Sequence, residues 1–130
     1  MGNNQSIRKI NFEDMQKAIS NKYIIINTLN ESKQECLILN TIPSDEEEKI
    51  INESIKQNLH TNIVIYGENS QDDKIITKYY QLQKLGFVNI YIYIGGLFEW
   101  LLLQDIYDSD LFPTNSKEID ILKFKGSCVF

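Results

Sequence analysis

Two stretches of this chain are apolar or aromatic without strict alternation: Asn62-Ile63-Val64-Ile65-Tyr66 and Asn89-Ile90-Tyr91-Ile92-Tyr93-Ile94. This pattern is typical of β-strands that are buried on both faces of a sheet. Between them, apolar residues recur at helical spacing from about residue 72 to residue 85, and Gly86 follows as a candidate left-handed helix cap. Strands that alternate with helices in this way predict a parallel sheet covered on both sides.

The chain on either side of these stretches continues the alternation. Residues 23–27 form a third buried-strand pattern, and Gly95-Gly96 turns directly into an apolar helix at residues 97–107. Asn11 with Asp14, and Ser44 with Glu47, have the spacing of helix N-terminal capping boxes. The predicted fold class is therefore α/β, a small parallel sheet of about four to five strands with helices on both faces.

The composition excludes several classes of function. The 130 residues suit one domain, and the formal net charge of −5 argues against a nucleic-acid partner, which requires a basic surface. The chain has one histidine and no CxxC motif, so we expect no metal site and no cofactor. Two cysteines, Cys36 and Cys128, stand far apart without a secretory signal, so we expect no disulfide between them.

The second half of the chain carries an ordered set of motifs. The strand at residues 63–66 is followed by a loop and a helix. Two motifs come next: Leu85-Gly86-Phe87-Val88-Asn89-Ile90-Tyr91 and Gly95-Gly96-Leu97-Phe98-Glu99-Trp100. This order resembles the rhodanese-like family, in which a GF-x-N-V-Y strand precedes a GG turn. In that family the following helix has a tryptophan four residues after the second glycine. The likeness covers roughly residues 11–115. The run from Gly96 to Tyr107 is similar to a divergent rhodanese-like group of protists and large DNA viruses, and we expect this chain to belong to a group without the active-site cysteine.

The resemblance implies a cysteine thiolate directly after the third strand and an arginine late in the loop. Gly67 stands at the cysteine position here, and no arginine follows in the degenerate loop, whose members are Gly67, Glu68, Asn69, Ser70, Gln71, Asp72 and Asp73. Its three carboxylates would repel an anionic substrate. We therefore expect no catalytic residue and no enzyme activity, and a concavity without a thiol that is surrounded by the backbone amides of residues 68–73. Two alternatives stay open: a sulfurtransferase or phosphatase-like enzyme that uses a displaced cysteine such as Cys36, and a small-anion sensor.

The first residues, Met1-Gly2-Asn3-Asn4-Gln5-Ser6, fit the N-myristoylation pattern at Gly2. One myristoyl chain binds a membrane only marginally, with an association constant of about 10⁴ M⁻¹. The predicted organisation is an N-terminal tail at residues 1–10, in which Ile7 and Ile10 are candidates for a short edge strand, a rhodanese-like domain at residues 11–115, and a C-terminal helix and tail at residues 116–130. Attachment to a membrane through the acyl chain would be reversible.

The helix at residues 97–107 is apolar nearly all round, and such a helix is either buried or docked on a partner. We therefore name Leu97, Phe98 and Leu101 as a candidate surface for a protein partner. Taken together, the sequence predicts a catalytically inactive protein-binding or structural module. We expect it in the cytoplasm, at a membrane or within a larger assembly.

Overall fold

The sheet contains five strands, all of them parallel. The structure is a computed structural model that describes residues 7–130. Its strands are β1 (Lys9–Ile10), β2 (Ile24–Asn27), β3 (Thr41–Ile42), β4 (Ile63–Tyr66) and β5 (Ile90–Tyr93). Their order across the sheet is β1-β5-β4-β2-β3, so β4 is central and every residue of β4 is buried. The predicted parallel sheet is confirmed.

Four helices cover the two faces of the sheet: α1 (Phe12–Ser20), α2 (Glu47–Gln57), α3 (Lys74–Lys84) and α4 (Gly96–Ile106). Successive side chains of a strand point to opposite faces, and β4 divides its side chains between two cores in this way. Val64 packs in one core with residues of α1 and α4, whereas Ile65 packs in the other with residues of α2 and α3. The prediction of helices on both faces is therefore confirmed.

The predicted signals at the helix ends have different outcomes. The side chain of Asn11 accepts from the backbone N–H of Asp14 at 3.0 Å, and the Asp14 carboxylate accepts from the N–H of Asn11, which completes the predicted capping box. The capping box at Ser44 is wrong, since α2 begins at Glu47 without any side-chain cap. The N–H of Ser44 donates instead to the side chain of Gln34. Gly86 has a φ of +107° after α3, as predicted for a left-handed cap.

Ordered structure is found on both sides of residues 11–115. Lys9 and Ile10 form β1 and pair with β5, so the predicted edge strand is confirmed at Ile10 and does not include Ile7. A 3₁₀ helix at Ile121–Phe124 follows α4, and the side chain of Phe124 is 1% exposed within the core. The predicted Gly2 acylation site lies outside the described residues. No helix within residues 7–130 is both long and apolar enough to cross a bilayer.

Candidate functional site

The candidate site is the loop of residues 67–73, which joins the central strand β4 to helix α3. Strands β2, β4 and β5 end level with one another, because Tyr66 is in register with Asn27 on one side and Tyr93 on the other. The carboxyl ends of parallel strands meet at one edge of a sheet, which is where ligands of open α/β sheets bind. The loop therefore occupies the middle of that edge.

Gly67 and Asp72 share one small volume in this loop. A Cβ atom placed on Gly67 would lie 2.2 Å from Oδ2 of Asp72, far inside van der Waals contact. The Asp72 carboxylate is held by three donors: Oδ2 accepts from the backbone N–H of Glu68 at 3.1 Å and from Oγ1 of Thr28 at 3.0 Å, and Oδ1 accepts from the N–H of Lys74 at 3.0 Å. The space that a side chain at position 67 would fill is thus occupied by a fixed carboxylate.

The other polar groups of the loop are also bonded within the protein. The N–H of Gln71 donates to Oδ1 of Asn69 at 2.8 Å, and the N–H of Asp72 donates to the carbonyl of Asn69 at 3.2 Å. The amides of Glu68, Gln71 and Asp72 therefore serve oxygen atoms of the loop. Residues of the loop do line a concavity without a thiol, as predicted, but these three amides are not free to bind a ligand in it.

The loop is anchored to the segment after β2 and to the C-terminal segment of the chain. Glu68 forms an ion pair with Nζ of Lys33 at 2.6 Å. Nδ2 of Asn69 donates to the carbonyl of Phe124 at 2.9 Å, and Oε1 of Gln71 accepts from the N–H of Ser127 at 2.7 Å. A shallow cavity of about 320 Å³ remains beside the loop, and six of its seven lining residues come from residues 68–74, the seventh being Ser127. Three of the lining side chains are carboxylates and one, Lys74, is basic, so an anion would meet a net negative charge there.

The turn at Gly95-Gly96 holds the start of α4 against the same loop. Gly96 has a φ of +70°, and a Cβ atom on it would lie 2.7 Å from the carbonyl oxygen of Gly67. The N–H groups of Leu97 and Phe98 donate to the carbonyls of Gly67 and Glu68 at 2.9 and 2.8 Å. The loop thereby satisfies two of the free N–H groups that begin a helix, and glycine is needed for this close approach.

Neither cysteine lines the cavity beside the loop. Cys36 is 3% exposed, and its Sγ lies 3.3 Å from the carbonyl oxygen of Ser116. Burial raises the pKa of the Cys36 thiol, which reduces the thiolate fraction that a nucleophile requires. Cys128 is exposed near the C-terminus, with its Sγ 2.8 Å from the carbonyl oxygen of Phe130. A displaced nucleophile at Cys36 gains no support from this geometry.

Two buried tyrosines at the ends of the strands act as hydrogen-bonding groups. The hydroxyl of Tyr66 accepts from the N–H of Ile38 at 3.1 Å, and burial raises the pKa of Tyr66. The hydroxyl of Tyr93 donates to the Glu99 carboxylate at 2.5 Å, and burial together with that carboxylate raises the pKa of Tyr93. Both hydroxyls stay protonated at neutral pH, which suits a structural role.

The predicted partner surface at Leu97, Phe98 and Leu101 is wrong for two of its residues. Leu97 and Leu101 are 0% and 1% exposed, because this stripe of α4 packs with Trp100 against the sheet. Phe98 is half-buried against the same core. The exposed apolar residues of α4 are instead Leu102 and Ile106.

Sequence reasoning missed two residues that contact the loop, Thr28 and Lys33. Thr28 directly follows β2, so its position after a predicted strand was the available signal for an edge residue. Lys33 carried no comparable signal. Within residues 7–130, no group of three or more histidine, cysteine, aspartate or glutamate side chains is placed to hold a metal ion.

Comparisons with known proteins were made at the level of sequence family and of fold. The family model for the Rhodanese-like domain matches residues 12–103. No curated protein sequence matches the chain significantly. Among solved structures, the Alr3790 protein from Anabaena sp. is 16% identical with a TM-score of 0.54, and the alignment covers 88% of this chain and 86% of that one.

Two further structures have the same likeness. The solution structure of the Rhodanese-like domain from Alr3790 is 15% identical with a TM-score of 0.55, covering 96% of this chain and 89% of that domain. Thiosulfate sulfurtransferase from Pseudomonas aeruginosa is 18% identical with a TM-score of 0.57, covering 74% of this chain but only 19% of the enzyme. At these identities the likeness concerns the fold, and the family match decides membership. The chain belongs to the rhodanese-like domain family.

Proposed function

We propose that this chain is a non-catalytic rhodanese-like domain that acts by binding other proteins. The observation that carries the proposal is the pair Gly67 and Asp72 at the end of β4. Sulfur or phosphoryl transfer through a covalent intermediate requires a nucleophilic atom, and Gly67 has no side chain to supply one. The Asp72 carboxylate lies where that side chain would extend, 2.2 Å from the Cβ position.

The charges around the loop support the same proposal. Lys33 forms an ion pair with Glu68, and Nζ of Lys74 donates to Oδ1 of Asn30 at 3.3 Å. Asp72 and Asp73 add two more carboxylates to the lining of the cavity beside the loop. Thiosulfate and phosphate are anions, so this arrangement disfavours their approach. The same charges argue against a small-anion sensor.

We also propose that the protein is cytoplasmic. An acyl chain on Gly2 would hold it reversibly at a membrane or in a larger assembly. The described part of the chain supports a cooperating role for the basic pair beside the proposed anchor. Arg8 and Lys9 are both exposed at the edge strand β1. Arg8 donates to the carbonyl of Val88, and its guanidinium lies 4.7 Å from the centre of the Tyr91 ring. The Arg8 side chain is therefore held on the folded domain, next to the exposed Lys9, and we propose that the pair attracts anionic lipid.

Activity assays on the purified protein test the non-catalytic proposal. We expect no thiocyanate from thiosulfate and cyanide, and no hydrolysis of p-nitrophenyl phosphate, above the rate of heat-denatured protein. Cys36→Ser and Cys128→Ser are assayed in parallel, with an active rhodanese as the positive control. Turnover that disappears in either cysteine variant would replace the proposal with an enzyme that uses a displaced thiol.

A further inference from the structure

A groove of about 670 Å³ lies between α4 and the segment of residues 114–121. Leu101 and Ile121 line it: Leu101, which is 1% exposed, lies at its buried base, and Ile121 is half-buried. Ile119 lines the same groove and is 86% exposed. The groove thus combines a buried apolar base with an apolar wall that is open to water.

More exposed apolar side chains lie at the adjoining end of α4. Asp105 and Ser109 line the groove, and the same stretch of chain carries Ile106 and Tyr107, which are 68% and 63% exposed. Ile119 lines the groove, and Ile106 and Tyr107 directly follow the lining residue Asp105 in the chain, so exposed apolar surface adjoins the groove and favours a protein partner.

The stretch of chain that borders the groove is acidic, although Lys117 lines the groove together with Asp105 and Glu118. From residue 105 to residue 121 the chain has five acidic residues and one basic residue, a formal charge of −4: the acidic residues are Asp105, Asp108, Asp110, Glu118 and Asp120, and the basic one is Lys117. Glu118 has a partner in Lys123 at 3.4 Å. Within the described part of the chain, the three aspartates at positions 105, 108 and 110 form no ion pair.

The direction of α4 strengthens this negative field. The carboxyl end of a helix carries partial negative charge and favours a cation. The last turn of α4 contains Asp105 and no basic residue, so the helix end adds to the aspartates instead of being offset. A positively charged group from a partner would stabilise both the carboxyl end of α4 and the unpaired aspartates.

We propose that this groove binds a basic, apolar segment of a partner protein, which inserts an apolar side chain beside Ile119 and places lysine or arginine near Asp105 and Asp108. The proposal rests on the function of a binding module. A second copy of this chain is disfavoured as the occupant, because two surfaces of the same negative charge would meet. An anionic membrane is disfavoured for the same reason.

A labelled helical peptide of leucine and lysine, followed by fluorescence anisotropy, serves as the probe. We expect saturable binding to the full-length protein that weakens as salt rises. Ile119→Ser should weaken binding about tenfold, through the loss of buried apolar area. Asp105→Asn with Asp108→Asn should weaken it severalfold and flatten the salt dependence. The matched controls are Tyr80→Ser and Glu53→Gln, exposed positions on α3 and α2 across the sheet, and both should bind like wild type.

Several results would overturn the assignment. They are the absence of binding to wild type, equal binding of a leucine and glutamate peptide, and equal losses in Ile119→Ser and Tyr80→Ser. Self-association in sedimentation that Ile119→Ser abolishes would assign the groove to a second copy. Uptake by phosphatidylserine vesicles that Ile119→Ser abolishes would make it a membrane face. Sulfur transfer by wild type would contradict the non-catalytic function separately, without changing these binding results.

Discussion

Asp72 places its Oδ2 atom 2.2 Å from the position that a Cβ atom of Gly67 would take. Three donors fix that carboxylate, one of them the hydroxyl of Thr28, which lies 44 residues away in the chain. A shift of Asp72 to make room would break hydrogen bonds in a part-buried site. The glycine at position 67 and the aspartate at position 72 are therefore energetically coupled.

We predict that this coupling appears in a double-mutant cycle. Gly67→Ala should lower the free energy of unfolding by about 1–3 kcal/mol, since the added methyl group overpacks the loop. Asp72→Ala should cost about 1–3 kcal/mol, because it leaves donors such as the Glu68 amide unpaired. The double variant should lose less than the sum of the two, by about 0.5–3 kcal/mol, measured by urea unfolding. Ser70→Ala, an exposed change in the same loop, is the control, and strictly additive losses would contradict the coupling.

A thiol introduced at position 67 is predicted to remain unreactive. In Gly67→Cys the sulfur would lie beside Asp72 and near Glu68, and neighbouring carboxylates raise the pKa of a thiol and reduce its thiolate fraction. Alkylation by iodoacetamide as a function of pH should therefore show a pKa above that of an ordinary cysteine. Adding Asp72→Ala should lower that pKa and speed alkylation. Cys36 and Cys128 are replaced by serine in all samples.

The result that would contradict this prediction is sulfur transfer from thiosulfate by Gly67→Cys alone. It would mean that the loop can still activate a thiolate despite its carboxylates. The non-catalytic character would then depend only on the missing sulfur atom.

The two glycines of the Gly95-Gly96 turn are predicted to differ in their tolerance of a methyl group. At Gly96 a side chain meets a φ of +70° and lies 2.7 Å from the backbone oxygen of Gly67, which cannot move alone. At Gly95 the Cβ atom would meet the carboxylate of Glu99, the end of a flexible side chain, and moving that carboxylate would break its hydrogen bond from Tyr93. Gly96→Ala should lose about 2–4 kcal/mol of stability, combining backbone strain with overpacking, and Gly95→Ala about 1 kcal/mol. Thermal unfolding measures both, and equal losses would contradict the role of the loop contact.

Local signals in the sequence predicted most of the fold because their physical causes are local. The capping box of Asn11 and Asp14 spans one helical turn, and the left-handed residue Gly86 follows from the steric freedom of glycine. Uninterrupted apolar runs identified the buried strands β2, β4 and β5. The same reasoning failed at Ser44, where the side chain of Gln34, ten residues earlier, binds the N–H that the capping box would have used.

The details of the candidate site depend on contacts between distant residues, which a single sequence does not reveal. Thr28 meets Asp72 across 44 positions, and Asn69 meets Phe124 across 55. The exposure of α4 is equally non-local: an all-round apolar helix does not specify which stripe meets the sheet, so Leu97 and Leu101 were assigned to the wrong side. Only the packing of Trp100 with Tyr93 and Phe112 decides that stripe.

The final prediction concerns the N-terminus, where Gly2→Ala should move the protein from a particulate to a soluble cell fraction. N-myristoylation requires glycine after removal of Met1, and alanine blocks it. We expect the domain to stay folded, because residues 7–130 contain both hydrophobic cores and the five strands of the described sheet. Thermal unfolding of the variant should therefore match that of wild type.

Intact-protein mass spectrometry of material from its native cells detects the acyl group on Gly2 directly. Fractionation at low and high salt measures the contribution of Arg8 and Lys9 to membrane binding. Replacing Arg8 and Lys9 by glutamine should increase release at low salt while the acyl chain stays attached, since each basic residue near an anionic surface contributes about 1 kcal/mol. Ser70→Ala, an exposed substitution away from the N-terminus, is the control and should fractionate like wild type. An unmodified N-terminus, with the same distribution for wild type and Gly2→Ala, would contradict the acyl anchor. Membrane attachment would then have to come from a protein partner.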